Sequence, residues 1–302
     1  MINTQIEQSK TISFSFLSFF INLMQLTKIR LSFSIVFSSI AGYFLGVEKI
    51  NFLTLFLLSI GGYSMAGASS IFNQLIERGK DGLMNRTKNR PLPSNRMSNS
   101  TAIILGIIFS LLGTFFLYSI NFETAFFSVI SILIYTCLYT PLKRVTPLSV
   151  FVGAFPGAIP FMLGWVAATG EFGIEPGILF MIQFFWQFPH FWAIGWMMDE
   201  DYKKAGFKML PSGKRDNASA FQIVFYTLWT IIISLIPVTS YSGNLILSIP
   251  AASLIFILGL LFLLFSIKLM QKKDVLSAKK LMGFSIIYIT SLQIIYVVDK
   301  FI

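Results

Sequence analysis

Three oxygen-bearing side chains, Asn73, Glu77 and Asp81, follow one another at four-residue intervals where a long apolar run ends. Because four residues are about one helical turn, a helix would place all three on one face. Carboxylate and amide oxygens beside several cations suit a hydrated Mg²⁺ that carries a phosphate-bearing ligand. The alternative is a solvated loop whose basic residues only set the orientation of the chain in a membrane. The basic residues around the row are Arg78, Lys80, Arg86, Lys88 and Arg90.

A second acidic cluster repeats this arrangement later in the chain. Asp199, Glu200 and Asp201 end another apolar run, and a basic loop follows them. Two carboxylate sets that face each other could hold two or more Mg²⁺ ions around one diphosphate. The repetition also suggests an internal duplication. The alternative is a pair of charged loops that merely solvate helix ends.

The composition places the chain in a membrane. It has 302 residues, of which 55% are hydrophobic and 12% charged, with a mean hydropathy of +0.75. Soluble domains carry about twice that charge. A net charge of +10 would suggest nucleic acid as the partner of a soluble protein. Here the basic residues lie in short loops between apolar runs, so the expected partner is the lipid bilayer and nucleic acid is excluded.

The apolar runs predict an all-α integral membrane protein with nine transmembrane helices, each near the roughly 20 residues that cross the hydrocarbon. Residues 1–30 form an N-terminal segment, with 12–26 expected as a helix at the membrane interface, and 31–302 form one membrane domain. Alternating spans place every Lys and Arg on one side except Lys49 and Lys300. We therefore expect a cytoplasmic N-terminus, an external C-terminus and an active site on the cytoplasmic side of the cell (inner) membrane. The spans are expected at 31–47, 52–76, 101–120, 122–142, 147–169, 174–197, 219–240, 244–267 and 278–298.

Two features inside the spans could serve a site. The fifth span contains Pro156 and Pro160, which leave backbone groups without partners, so this helix must be buried in protein or line a polar cavity; a simple packing kink is the alternative. His190 is the only histidine and lies in the middle of the sixth span. A transporter, which favours ionisable residues near the bilayer midplane, is the competing functional class. The charges of this chain instead lie at the cytoplasmic helix ends.

The two acidic clusters suit the ionisation of an allylic diphosphate, which needs its leaving group neutralised by metal ions and by Arg or Lys. Four stretches then resemble the UbiA family of intramembrane prenyltransferases, and within it the branch that acts on haem. The resemblance runs from about residue 28 to the C-terminus. The stretches are NxxxExxxDxxMxRTxxRPL at 73–92, YTPLKRVTP at 139–147, WQFPHFW at 186–192 and DYKKAGFKMLP at 201–211.

The resemblance implies a UbiA-type helical bundle that transfers a farnesyl group from farnesyl diphosphate to a vinyl group of haem b, with water added, to give haem O. It implies Mg²⁺ as cofactor, and haem A synthase or oxidase-assembly proteins as candidate partners. Related enzymes use aromatic or quinone-precursor acceptors, which is the second functional hypothesis. The family usually has Asp where this chain has Glu77, and Glu reaches one methylene further.

The implied site residues fall into three groups. A first metal and diphosphate site contains Asn73, Glu77 and Asp81, and a second contains Asp201 with Asp199. Tyr139 reaches the diphosphate or serves as an interfacial aromatic, and His190 ligates the haem iron or has a structural role. The diphosphate is held by Arg86, Arg90, Lys143 and Arg144, and the residues expected to be catalytic are Asp81, Asp201, Lys143 and Arg86.

The charge pattern generates a topology prediction. Reporters fused after Ser94 and after Ser212 should both read cytoplasmic, and one fused after Gly243 should read external. Placing the first two on opposite faces of the membrane would rule out one shared site for both acidic clusters.

Overall fold

A computed structural model describes residues 16–302, which form helices and turns and contain no β-strand. Residues 1–15 lie outside this part, and so does the beginning of the expected interfacial segment 12–26. The remainder of that segment is helical. The helices are α1 Phe16–Leu26, α2 Ile29–Gly46, α3 Phe52–Asp81, α4 Asn99–Tyr118, α5 Phe122–Leu133, a π-helix Ile134–Tyr139, α6 Thr140–Leu142, α7 Ser149–Thr169, α8 Ile174–Met197, α9 Asp199–Ala205, α10 Asn217–Ile233, two 3₁₀ turns Ile236–Val238 and Ser240–Ser242, α11 Ile249–Lys272 and α12 Val275–Phe301.

Eight of the helical segments described are long and apolar enough to cross a membrane, with α5, the π-helix and α6 counted as one. The expected sixth span, α8, is a helix of 24 residues that falls outside these eight. It carries Gln183, Gln187 and His190 within its apolar sequence. Polar side chains in a helix of this length face protein or a cavity rather than lipid.

Several boundaries differ from the expectation, two of them at places that matter for the site or for a helix start. The helix α3 continues five residues beyond 76, so that the whole row from Asn73 to Asp81 is helical. The start expected at 244 for the eighth span was wrong, because α11 begins at Ile249. The Ser248 side chain accepts a hydrogen bond from the backbone N–H of Ala251, and Pro250 occupies the first turn, where its missing N–H is tolerated.

The helices pack as two consecutive groups, α2 to α5 and α7 to α11, and α12 closes the bundle against α8, α11 and α2. The two groups meet where α2 crosses α7. At this crossing a Cβ atom on Gly42 would lie 2.0 Å from the carbonyl oxygen of Phe161, and one on Gly164 would lie 1.8 Å from that of Ser39. Both positions therefore require glycine for backbone-to-backbone approach.

The prolines of α7 lie in a continuous helix most of whose residues are buried, which confirms that this span is enclosed by protein. Pro160 has no N–H, so the carbonyl of Pro156 loses its helical donor. The hydroxyl of Ser131 on α5 donates to that carbonyl at 3.3 Å. A neighbouring helix thus satisfies a backbone group that lipid could not.

The glycine contact predicts a stability difference. Gly164→Ala should lower the melting temperature of the purified protein, because overpacking against backbone costs about 1–3 kcal/mol or more. Gly177→Ala in α8 is the matched control, since no atom lies within 4 Å of its added Cβ. Equal melting curves for the two variants would contradict the close crossing.

Candidate active site

The three oxygen-bearing residues of α3 lie on one buried face at the end of the helix. Asn73, Glu77 and Asp81 are exposed by 2%, 4% and 1%. The helix is fixed at its other end by Asn51, whose side chain accepts from two backbone N–H groups of the first turn. These residues are therefore part of an ordered helix packed in the bundle, and the solvated-loop interpretation is wrong.

Each member of the row contacts a cation that a different part of the chain supplies. Lys28 Nζ donates to Asn73 Oδ1 at 3.3 Å. Lys143 Nζ forms an ion pair of 2.8 Å with Glu77, and Arg90 forms one of 2.8 Å with Asp81. A buried carboxylate requires such pairing because desolvation of an isolated charge is expensive.

The side chain of Lys28 reaches the site because its backbone, at the junction of α1 and α2, has an unusual conformation. Its φ and ψ angles are 48° and 56°, in the left-handed region that a residue with a Cβ seldom adopts. The amide of Gln74 on α3 fixes this junction by donating to the carbonyl of Leu26 at 2.6 Å. Burial, followed by the positive charges of Arg90 and Lys143, lowers the pKa of Lys28 to about 7. The sequence patterns did not single out this lysine as a site residue.

The end of a π-helix provides one further contact to the row and one to Lys143. Thr140, directly after it, accepts a hydrogen bond from Asn73 Nδ2 at 3.1 Å and donates to the carbonyl of Tyr135 at 2.8 Å. Lys143 Nζ lies 4.4 Å from the ring centroid of Tyr139. Gly153 makes room for that ring, because a Cβ there would lie 2.6 Å from it. Single π-turns inside helices are frequent at functional sites, and this one aligns side chains with α3.

Lys143 remains a cation in this environment. Burial alone would lower its pKa, but the charge of Glu77 and the neighbouring Tyr135 raise the pKa above its ordinary value. Its ammonium also lies 5.7 Å from the ring centroid of Phe207, which belongs to the loop after α9. Lys143 therefore connects the first acidic row to the segment that carries the second.

The second acidic cluster contacts the loop that follows the first acidic row through Asp201. Its Oδ2 accepts from the backbone N–H of Arg86 at 3.3 Å, and Lys204 lies 3.3 Å from its other oxygen. Slight desolvation raises the pKa of Asp201, but the hydrogen bonds from the Arg86 backbone and Lys204 lower it below its ordinary value. Asp199 instead contacts Lys203 at 2.8 Å and Arg215 at 3.6 Å. Asp201 is therefore the member of the second cluster that contacts the loop following the acidic row.

The expected diphosphate-binding cations divide into two kinds. Arg90 and Lys143 contact the acidic row directly. Arg86 and Arg144 are exposed, and within residues 16–302 neither guanidinium contacts a carboxylate. The loop that carries Arg86 and Arg90 is instead held by Arg96, which sequence patterns did not single out. Arg96 donates to Asn22 and Gln25 of α1, at 2.6 and 2.8 Å, and to the Asn89 carbonyl at 2.6 Å.

His190 lies nine residues before Asp199 of the second acidic cluster, a spacing of about 14 Å at the helical rise. Its ring stacks on Trp186, with centroids 4.8 Å apart. Its Nδ1 is 2.7 Å from the hydroxyl oxygen of Ser285 on α12. The site thus has a charged end, formed by the two acidic clusters and their cations. A separate aromatic region, around His190 and Trp186, lies at membrane depth.

The donor set of the charged end fits Mg²⁺. Within residues 16–302 no three His, Cys, Asp or Glu side chains are grouped closely enough to hold a metal on their own. One oxygen of Asp81, Oδ1, is buried without a hydrogen-bond partner. Such an orphaned carboxylate oxygen beside amide and carboxylate oxygens suits a cation that takes few protein ligands and completes its shell with substrate oxygens.

The sequence matches a known protein family over most of its length. Residues 35–291 match the UbiA prenyltransferase family. The chain belongs to this family. It is 61% identical over 278 residues to a protoheme IX farnesyltransferase of Christiangramia forsetii, covering 92% of this chain and 93% of the relative. It is 57% identical over 288 residues to a protoheme IX farnesyltransferase of Flavobacterium psychrophilum, covering 94% of this chain and 96% of the relative.

Solved structures give the UbiA fold independently. A digeranylgeranylglyceryl phosphate synthase superposes with a TM-score of 0.76 at 20% identity, covering 92% of this chain and 97% of the other. A UbiA homologue from Archaeoglobus fulgidus, bound to GPP and Mg²⁺, superposes with a TM-score of 0.70 at 15% identity, covering 91% and 99%. The all-helical fold expected from the sequence is therefore confirmed for this UbiA member.

The buried ion pair of this UbiA site generates a prediction that separates stability from function. Lys143→Met should lower stability by about 3–5 kcal/mol, because it leaves Glu77 buried without a partner. Adding Glu77→Gln should recover most of that loss, since the charge is removed as well. Activity should stay low in both variants. Melting curves and turnover of the two variants check this; a double variant no more stable than Lys143→Met would contradict the pairing.

Proposed function

We propose that the chain farnesylates haem: it transfers a farnesyl group from farnesyl diphosphate to a vinyl group of haem b, with addition of water, and so forms haem O. The observation that carries the proposal is the paired acidic site of α3 and α9 in a chain 61% identical, over nearly its whole length, to a protoheme IX farnesyltransferase. The reaction breaks the bond between C1 of farnesyl and the diphosphate oxygen, and it forms a carbon–carbon bond to the vinyl group.

The acidic row holds the metal and the leaving group in this proposal. Asn73, Glu77 and Asp81 would bind Mg²⁺ from α3, with Asp201 and Asp199 on the opposite side. The metal, when bound, supplies charge neutralisation for the departing diphosphate. The buried, unpartnered Oδ1 of Asp81 supports this assignment.

The cations of the site bind the diphosphate. Lys28, Arg90 and Lys143 each contact one member of the acidic row. With Mg²⁺ held by that row, these three cations would be free to bind the phosphate oxygens of the diphosphate. The exposed side chains of Arg86 and Arg144 lie on neighbouring loops and can close over the diphosphate from the cytoplasmic side.

Two aromatic rings lie beside Lys143 at the charged end of the site. Tyr135 and Tyr139 are 5.0 Å apart between ring centroids, and Tyr139 faces Lys143. The faces of such rings stabilise positive charge, which develops on the farnesyl group as its diphosphate departs.

The haem acceptor lies deeper than the diphosphate. His190 is the candidate ligand of its iron, and its position about 14 Å along α8 from Asp199 supports a porphyrin held at membrane depth. A transporter interpretation finds less support, because the ionisable groups cluster at one end of the helices.

The proposal includes the arrangement in the cell. A single membrane domain begins after residue 30 and has nine transmembrane helices, with α8 as the ninth helix beside the eight that are long and apolar enough to cross a membrane. The N-terminus and the charged site face the cytoplasm across the cell membrane. The arrangement is supported by the nearly complete confinement of Lys and Arg to one side. Proteins of haem A synthesis or oxidase assembly are the proposed partners.

The test is direct. Purified protein incubated with haem b, farnesyl diphosphate and Mg²⁺ should give haem O, identified by mass. EDTA should abolish the product and added Mg²⁺ should restore it. A product formed only with an aromatic acid or quinone precursor as acceptor would refute the haem proposal. It would not contradict the proposed metal site.

A variant localises the chemistry. Asp81→Asn should lower turnover at least about a hundredfold without lowering the melting temperature comparably, because a lost charge at a metal and phosphate site is a transition-state loss. The matched control is Asp274→Asn, which alters a carboxylate that caps α12, where Asn caps as well as Asp. Full activity in Asp81→Asn would remove the acidic row from the mechanism.

A further inference from the structure

The only histidine is held by one residue of another helix. Ser285 on α12 is fully buried, and its hydroxyl oxygen lies 2.7 Å from His190 Nδ1. Ser285 also accepts a second hydrogen bond: the indole N–H of Trp186 donates to the carbonyl of Ser285 at 2.7 Å. Trp186 stacks on the histidine ring at an interplanar angle of 18°. One serine therefore anchors both the edge of the imidazole and the ring against which it stacks.

The hydrogen bonds of Ser285 determine which nitrogen of His190 carries the proton. The hydroxyl oxygen is also 2.6 Å from the carbonyl oxygen of Met282, which can only accept. A hydroxyl has a single proton, and this contact uses it. The oxygen must then accept from His190, so Nδ1 is the protonated nitrogen. The lone pair of the neutral ring is left on Nε2, which has no hydrogen-bond partner in the described part of the chain.

The free nitrogen belongs to a side chain that lies between three helices. On α8, Gln187 donates to the carbonyl of Ala154 on α7 at 2.9 Å, and Trp186 contacts α12. His190 lies about one helical turn after Gln187 and Trp186. Its side chain therefore points between α7 and α12. The helix α2 packs against α7 and α12 as well. His190 therefore faces the centre of the bundle.

A second polar group shares this face. Gln183 lies two turns before His190, is exposed by only 7%, and its Oε1 has no hydrogen-bond partner. A buried amide oxygen without a partner is costly in an apolar bundle. Its position on the histidine face indicates that a polar or polarisable molecule completes this region.

We infer that Ser285 is a positioning residue for the haem acceptor: it fixes the Nδ1–H tautomer and the ring orientation of His190, so that Nε2 is presented to the haem iron. The inference rests on the proposed function. Histidines that bind metals commonly donate their other ring N–H to a fixed acceptor, which orients the ring and raises its basicity, and loss of that acceptor weakens metal affinity about 10–100-fold. Here the acceptor is a serine held in place by its own bond to Met282.

The experiment uses haem b as a spectroscopic probe of the full-length protein, without farnesyl diphosphate. Wild type should bind ferrous haem with an iron–histidine stretching band in resonance Raman spectra. His190→Gly should lose the band, and added imidazole should restore it. Ser285→Ala should retain the band at a lower frequency and bind haem about 10–100-fold more weakly. Ser285→Thr, which keeps the hydroxyl, should resemble wild type.

Ser266→Ala is the matched control. Ser266 on α11 is equally buried, and its hydroxyl donates to the carbonyl of Leu263 at 2.8 Å, three residues before it. This variant removes the same kind of helical bond without touching His190, so its spectrum and haem affinity should equal those of wild type. If Ser285→Ala does not fold, Ser285→Cys gives the same comparison with a weaker acceptor.

The outcomes distinguish the role of Ser285 from the proposed function in haem farnesylation. A wild-type band that is unchanged in both Ser285→Ala and Ser285→Cys would overturn the role of Ser285 while leaving the haem proposal intact. A wild-type haem spectrum that persists in His190→Gly would overturn ligation by His190 and the inference with it. Wild type that binds no haem and forms no haem O would defeat the proposed function itself.

Discussion

The need to pair buried charge governs the charged end of this molecule. Glu77 and Asp81 are almost fully enclosed by the bundle, where an isolated carboxylate would cost several kcal/mol. Each is neutralised by a cation from another segment, and Asn73 contacts a third cation. Loops and helix junctions that look unrelated in the sequence are therefore constrained by the same row of oxygens.

This constraint explains several local irregularities. The left-handed backbone at Lys28 and the π-helix before Thr140 both deviate from regular geometry, and both bring a side chain to Asn73. Arg96 fastens the loop that carries Arg90 to α1. Strained or irregular backbone persists where surrounding contacts determine it, and such places cluster at functional sites.

The bundle also contains a second polar region at membrane depth. In α8, Gln183, Gln187 and His190 interrupt the apolar sequence, and this helix falls outside the eight that are long and apolar enough to cross a membrane. The second acidic cluster, on α9, begins two residues after α8 ends. The helix α8 thus separates His190 from that cluster, which suits a reaction that joins a charged donor to a large apolar acceptor.

The sequence by itself determined the membrane class, the helical segments and the identity of the acidic row, because hydrophobic length and four-residue spacing are local properties. It also pointed to Arg90, Lys143 and Asp201 through motif resemblance. Only the tertiary structure decided that Lys28 and Thr140 contact Asn73 and that Ser285 contacts His190. Lys28 is 45 positions from Asn73, and Ser285 is 95 positions from His190. Contacts over such separations depend on how the helices pack and where the backbone leaves regular geometry, and no periodicity in a single sequence records either.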